Sequence, residues 1–200
     1  MACSLASRIA AAEAGVPIAT AHVDLSSKLL DDGSSFLEIN PLGQVSVLRL
    51  TDGTLLTETS AVLVWLQTHA QTKSFRIPAD SAGYFQMLRW LGFCATELHK
   101  QLFRIVFYPE ATNEVKGRIR ELVPARLKLL DAHLAQQSFL VGDHFSAADA
   151  YLIWALLLMP RAQVNVSGYP ALHDYQQRLA ERALVAQMLE ADEARLARKR

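Results

Sequence analysis

A helix opens this chain almost at once and carries a cysteine at its head, which limits how everything after it can be arranged. From Met1-Ala2-Cys3-Ser4-Leu5-Ala6-Ser7 to Glu13-Ala14, small and apolar residues run to Gly15, which reads as a helix C′ stop. A thiol at a helix N-terminus faces the positive end of the macrodipole and a set of unsatisfied N–H groups. Both favour the thiolate. Cys3 is therefore expected to be acidified, and no strand is expected ahead of it.

The next residues mix strand and helix signals. Ile18-Ala19-Thr20-Ala21-His22-Val23 reads as a strand. Lys28 to Ser35 reads as a polar loop, followed by a short helical turn ending at Asn40-Pro41. Val45-Ser46-Val47-Leu48-Arg49-Leu50 and Leu55-Leu56 flank Thr51-Asp52-Gly53-Thr54, a hairpin signal. Thr57-Glu58-Thr59-Ser60 then introduces a helix containing Ala61-Val62-Leu63-Val64-Trp65-Leu66. The expected order is α-β-α-β-β-α, one leading strand short of a complete βαβαββα unit.

Gln71 to Asp80 is polar, contains Pro78 and reads as a linker. Beyond it the pattern is helical throughout, at about 81–107, 113–137, 146–160, 171–181 and 183–197. The chain thus divides into a small α/β domain over residues 1–70, a linker over 71–80 and an all-helical domain over 81–200. Two hundred residues are enough to bury a sizeable core in such an arrangement.

Charge and cysteine usage narrow the function. Twenty basic and twenty acidic residues give a formal net charge of zero, which argues against a general nucleic-acid-binding role. The basic tail Arg195-Leu196-Ala197-Arg198-Lys199-Arg200 reads as a solvated helix end. Cys3 and Cys94 are far apart with no CxxC, which speaks against a disulfide scaffold or a zinc site and fits a reducing cytosol. The longest apolar run, Ala150 to Pro160, is too short to span a bilayer, and the start lacks a signal-peptide pattern. A soluble cytoplasmic protein without metal or membrane is expected.

Five segments carry polar groups in chemically useful places. With Ala6 where a dithiol oxidoreductase would have its second cysteine, a mixed disulfide on Cys3 needs an external thiol to resolve it. Asn40-Pro41-Leu42-Gly43-Gln44-Val45 is a turn into a strand that can offer backbone groups to a peptide-like ligand. Thr57-Glu58-Thr59-Ser60 is either a carboxylate site at a helix N-terminus or an ordinary N-cap. His99 and Lys100 sit mid-helix and face either a cleft or solvent, while Ser146-Ala147-Ala148-Asp149 has capping-box spacing, with Phe145 as its staple.

Together these pieces resemble the glutathione S-transferases, most closely the bacterial beta class. The resemblance is carried by Ala2-Cys3-Ser4-Leu5-Ala6-Ser7, Val23-Asp24-Leu25, Asn40 to Val45, Asp52-Gly53-Thr54-Leu55-Leu56-Thr57-Glu58, Ala95-Thr96-Glu97-Leu98-His99-Lys100 and Phe145 to Leu152. It implies a thioredoxin-like N-terminal domain, a helical C-terminal domain and a homodimer, with glutathione as co-substrate and a small hydrophobic electrophile in a detoxification reaction. On the same basis Cys3 faces the glutathione sulfur, with Ser4 as a hydroxyl donor to it. Lys28 lies near the glycyl carboxylate, and Val45 pairs with the cysteinyl moiety. Glu58 and Thr59 grip the γ-glutamyl end, and His99 and Lys100 line the electrophile side. Leu102, Phe103, Ile105, Val106 and Phe107 add an apolar lining to that cleft.

Two departures from the family pattern stand out. Its opening strand is missing, and Ser46 replaces its cis-proline. A cis bond before a non-proline residue costs about 2.5–4 kcal/mol, so Val45–Ser46 is expected to be trans. The implied function is conjugation of the glutathione thiolate to an electrophile, or chemistry through a Cys3–glutathione mixed disulfide. The alternative is a catalytically silent protein of the same fold that binds a hydrophobic ligand or a protein partner.

Overall fold

The computed structural model describes residues 1–198. Its first element is helix α1, Ser4–Ala14, with Leu5, Ala6, Ile9, Ala10, Ala11 and Ala14 all buried. Alanines on several faces let other helices approach it closely from more than one side, and α1 packs against three of them. Gly15 ends α1 in the left-handed region at φ 68, where a side chain would also meet Thr72 Oγ1 at 3.1 Å.

Two short antiparallel ribbons follow. Strand β1, Val23–Asp24, pairs with β2, Leu29–Leu30, and Val23 lies opposite Leu30. Strand β3, Val47–Arg49, pairs with β4, Leu55–Thr57, and Leu48 lies opposite Leu56. The β3–β4 turn is the expected one. Gly53 takes φ 87, and Asp52 accepts from the Thr54 N–H at 2.9 Å. Strand β2 lies inside the stretch expected to be loop, and β1 is shorter than the expected strand from Ile18. Asp24 makes the difference. Its carboxylate accepts from the Ser26 N–H at 2.8 Å and hydroxyl at 2.6 Å, turning the chain so that Leu29-Leu30 can pair back. A 3₁₀ turn at Phe36–Glu38 leads to the Asn40-Pro41 bend.

Helix α2, Thr59–Thr68, closes this half against α1. The polar stretch after it is docked on both sides. Backbone N–H groups of Gln71 and Thr72 both donate to Ala14 O, and the buried Phe75 ring packs 6.3 Å from that of Phe145. The buried Gln67 amide donates to Phe75 O and accepts from the Ala147 N–H at 3.2 Å.

The helical half begins with α3, Ala82–Phe93, capped by Ser81, whose hydroxyl accepts from the Tyr84 N–H. It continues without interruption through a π-helical stretch, Cys94–Phe103, into α4, Arg104–Val106. The single helix expected over 113–137 is instead two, α5 Asn113–Glu121 and α6 Val123–Leu134. Pro124 explains the break: it donates no hydrogen bond and starts a new helix better than it continues one. Helices α7, Ala147–Leu158, α8, Pro170–Ala180, and α9, Ala183–Arg198, complete the described chain. The expected solvated tail is partly engaged, because Arg195 pairs with Asp31 at 2.8 Å; Lys199 and Arg200 lie outside the described residues. Among the described residues no helix is long and apolar enough to cross a membrane.

Helix α7 runs through the middle of the core, with all but one of its residues buried. Asp149, fully buried, anchors its first turn. Its carboxylate accepts from the Leu140 N–H at 2.9 Å, the Tyr175 O–H at 2.7 Å, the Ser146 N–H at 2.9 Å and the Ser146 O–H at 2.7 Å. Burial pushes this carboxyl up, while those donors hold it down. Asp149→Ala strands buried donors in three segments and should lower unfolding stability by about 3 kcal/mol in chemical denaturation, since each unmet group costs about 1–3 kcal/mol.

Candidate functional site

The N-termini of α1 and α2, the chain entering β3, and the π-helical stretch meet at one place. A cavity of about 30 Å³ there is lined by Asn40, Gln44, Val45, Ser46, Glu58, Thr59 and Ser60 from the first half. Ala95, His99, Lys100 and Tyr151 line it from the helical half. That space is enough to hold water.

Cys3 sits behind this wall, 5% exposed, and its thiol donates to Val45 O at 2.9 Å. The sequence led us to expect an acidified thiol. The structure reverses that: burial pushes the Cys3 thiol up, against weaker help from the Thr59 and Ser46 hydroxyls and the Lys100 charge. Desolvation of the charged form outweighs the helix terminus. Resting Cys3 is a neutral hydrogen-bond donor.

The Val45–Ser46 peptide bond is cis, not trans as its composition suggested. The free-peptide preference does not decide the geometry here, because both flanking groups are fixed by neighbours. Val45 O is held by Cys3, and the buried Ser46 hydroxyl accepts from Ser7 at 3.0 Å and lies 3.4 Å from Thr59 Oγ1. Ser46 thus carries polar contacts that a proline could not make.

Glu58 stands immediately before α2 with φ 65, a region that non-glycine residues enter at a cost of about 1–3 kcal/mol. Glu58 and Thr59 both line the cavity, and no side chain caps the helix at Glu58. The first N–H groups of α2 therefore lack a side-chain cap there, which favours the carboxylate-site alternative over the ordinary cap.

His99 and Lys100 face the cleft. The His99 Nδ1 lies 2.8 Å from the Tyr151 hydroxyl, and Lys100 Nζ donates to Gln44 Oε1 at 3.4 Å, bridging the two halves. Burial, with the Lys100 charge beside it, lowers the His99 pKa to about 4, so the imidazole is neutral near pH 7.

Lys28 and Ser4 are not among the residues lining the cavity. Ser4 is the first residue of α1, beside Cys3. Lys28 Nζ donates to Gly43 O at 3.0 Å, next in sequence to the lining residue Gln44. The expected apolar lining is not found there. Leu102, Phe103 and Val106 are buried in the core, where Phe103 packs edge-on against Trp154 at 5.6 Å. Phe103 thus covers α7, and neither Ile105 nor the exposed Phe107 lines the cavity either.

Sequence reasoning missed Tyr151, Asn40 and Gln44 as lining residues. Tyr151 left a trace, being a phenol at the head of the longest apolar run. Asn40 was visible only as a turn former; its amide donates to Gln44 O at 2.6 Å and so shapes the approach to Val45.

Comparison with known proteins gives this arrangement its family. Residues 1–69 match the glutathione S-transferase N-terminal domain and residues 93–183 its C-terminal domain. The chain is 35% identical to glutathione S-transferase GstA of Escherichia coli over 96% of its own length and 94% of that protein. A sphingomonad glutathione S-transferase solved in complex with glutathione superposes with a TM-score of 0.90 at 33% identity, covering 96% of this chain and 95% of that one. The beta-class enzyme of Sphingomonas chungbukensis does so with a TM-score of 0.89 at 32% identity, covering 95% and 94%. The chain belongs to the glutathione S-transferase family.

Proposed function

We propose that this transferase binds glutathione along the junction of its two halves and adds the glutathione sulfur to an electrophile there. One observation carries the reading. Glu58 and Thr59 at the head of α2 and Val45 line one cavity opposite His99 and Lys100, with Cys3 bonded to Val45 O behind it. To the two ends of an extended γ-glutamyl peptide laid there we assign Glu58 with Thr59 and, next to Gly43, Lys28, with Ser4 at the head of α1 near its sulfur. An ammonium group suits Glu58, and a carboxylate suits the N-terminus of α2. His99 and Lys100 stand on the opposite side, where a small hydrophobic electrophile would enter. We assign residues 1–70 to glutathione binding, 71–80 to the connection and 81–200 to the helical unit.

The chemistry needs a thiolate on glutathione and an electrophile held beside it. Hydroxyl donors at Ser4 and Thr59 stabilise the anionic sulfur, and neutral His99 supplies a further N–H, while the Cys3 S–H is given to Val45 O and holds that backbone in place. Because Cys3 is held as a buried thiol, conjugation is favoured over a resting mixed-disulfide cycle. The silent alternative is disfavoured by the intact set of polar groups at the junction.

A homodimer also belongs to this reading. An open apolar groove of about 590 Å³ runs over β4, α2 and α3, lined by Leu56, Val64, Trp65 and Leu88 among others, with Phe85 exposed on the same helix as Leu88. A second copy is its natural cover. A detoxifying role in the reducing cytoplasm accords with two free buried cysteines.

Three outcomes are expected. Cys3→Ala should keep glutathione-conjugating activity within about tenfold, whereas Glu58→Ala should raise the KM for glutathione at least about tenfold, the effect of one lost charge-assisted contact. Loss of conjugation in Cys3→Ala with full activity in Glu58→Ala would reverse the assignment. Leu88→Arg should convert a dimer to a monomer by light scattering. Finally, folded His99 binds its proton only near pH 4, while the unfolded chain does so near the ordinary histidine value of 6.5. Stability should therefore fall as pH drops from about 6.5 towards 4, and His99→Gln should flatten that slope in denaturant titrations.

A further inference from the structure

Tyr151 and Trp154 lie three residues apart on α7 and so share a face. That face meets His99. The imidazole crosses the Trp154 ring at 4.8 Å and 67° and the Tyr151 ring at 6.0 Å and 82°, so its plane is held from two directions. Tyr151 is 1% exposed, and its hydroxyl stands 2.8 Å from His99 Nδ1. A buried phenol must place its proton on an acceptor, and Nδ1 is the acceptor within reach. Burial keeps the phenol protonated, against a weaker opposite influence of the Thr59 hydroxyl. With the phenol proton directed at Nδ1, the single proton of a neutral imidazole resides on Nε2.

On the glutathione reading given above, we propose that Tyr151 is a positioning residue. Its O–H donates to His99 Nδ1, fixes the Nε2–H tautomer, and so turns His99 into a neutral hydrogen-bond donor toward the sulfur anion or the charge developing on the electrophile. The opposite tautomer would leave a lone pair on Nε2, which repels an anionic sulfur. The π-helical stretch matters here because it sets His99 over the Tyr151–Trp154 face while its neighbour Lys100 reaches Gln44. Neither the capping box nor the core packing of α7 requires the Tyr151 hydroxyl, so its position opposite Nδ1 is otherwise unexplained.

The test is the two-bond ¹H–¹⁵N spectrum of histidine-labelled protein near pH 7 without glutathione, with His99 assigned by His99→Gln. The wild type should show the Nε2–H pattern, and Tyr151→Phe should show mixed tautomers. In turnover, Tyr151→Phe should lower kcat about tenfold, the scale of one lost hydrogen bond, with the KM for glutathione unchanged. In a His99→Gln background it should change nothing further. An Nδ1–H pattern in the wild type, or an unchanged pattern in Tyr151→Phe, overturns the assignment, and the wild-type spectrum decides even if the variant fails to fold. Because the spectrum is read without ligand, a correct tautomer in a protein that does not bind glutathione overturns the transferase reading instead.

Discussion

Helix α7 is where the two halves of this chain become one structure. It is apolar on nearly every face, so it can lie only inside, and it contacts α1, α2, α3 and α8 there. Such a helix has no solvent to satisfy its first turn, and Asp149 meets that need by gathering donors from its own N-terminus, from Leu140 and from α8. The same helix presents Tyr151 and Trp154 beneath His99. Burial thus dictates the scaffold and, through it, the orientation of the imidazole that faces the groove.

At the site itself, competing electrostatic effects are resolved by burial. Cys3 has the helix terminus that acidifies cysteines elsewhere, yet its sulfur is closed off and donates to Val45 O. His99 has a cationic neighbour and little solvent, and stays neutral. Both become hydrogen-bond donors without charge. A groove built this way stabilises an anion that arrives with the ligand, and carries no competing anion on Cys3.

Much of this was legible in the sequence, for identifiable reasons. Helix α1, its glycine stop, the β3–β4 hairpin and the α7 capping box each depend on contacts within a few residues, and each formed as read. The overall architecture followed from the order of such segments. What was missed depends on contacts distant in sequence: β2 on the Asp24 turn, the Val45–Ser46 geometry on Cys3 and Ser7, and the protonation of Cys3 on how deeply it is covered. Tyr151 falls in the same group, since its partner lies 52 residues away. Periodicity reports which face is apolar; it cannot report which buried hydroxyl meets which imidazole.

The central claim is that the groove from α2 to α1 is where glutathione lies. Amide chemical-shift mapping during a glutathione titration tests it most directly. Saturable shifts concentrated at Ser4, Val45, Ser46, Glu58 and Thr59 are predicted. Saturable shifts centred elsewhere, or none at millimolar glutathione in a folded protein, would contradict the account.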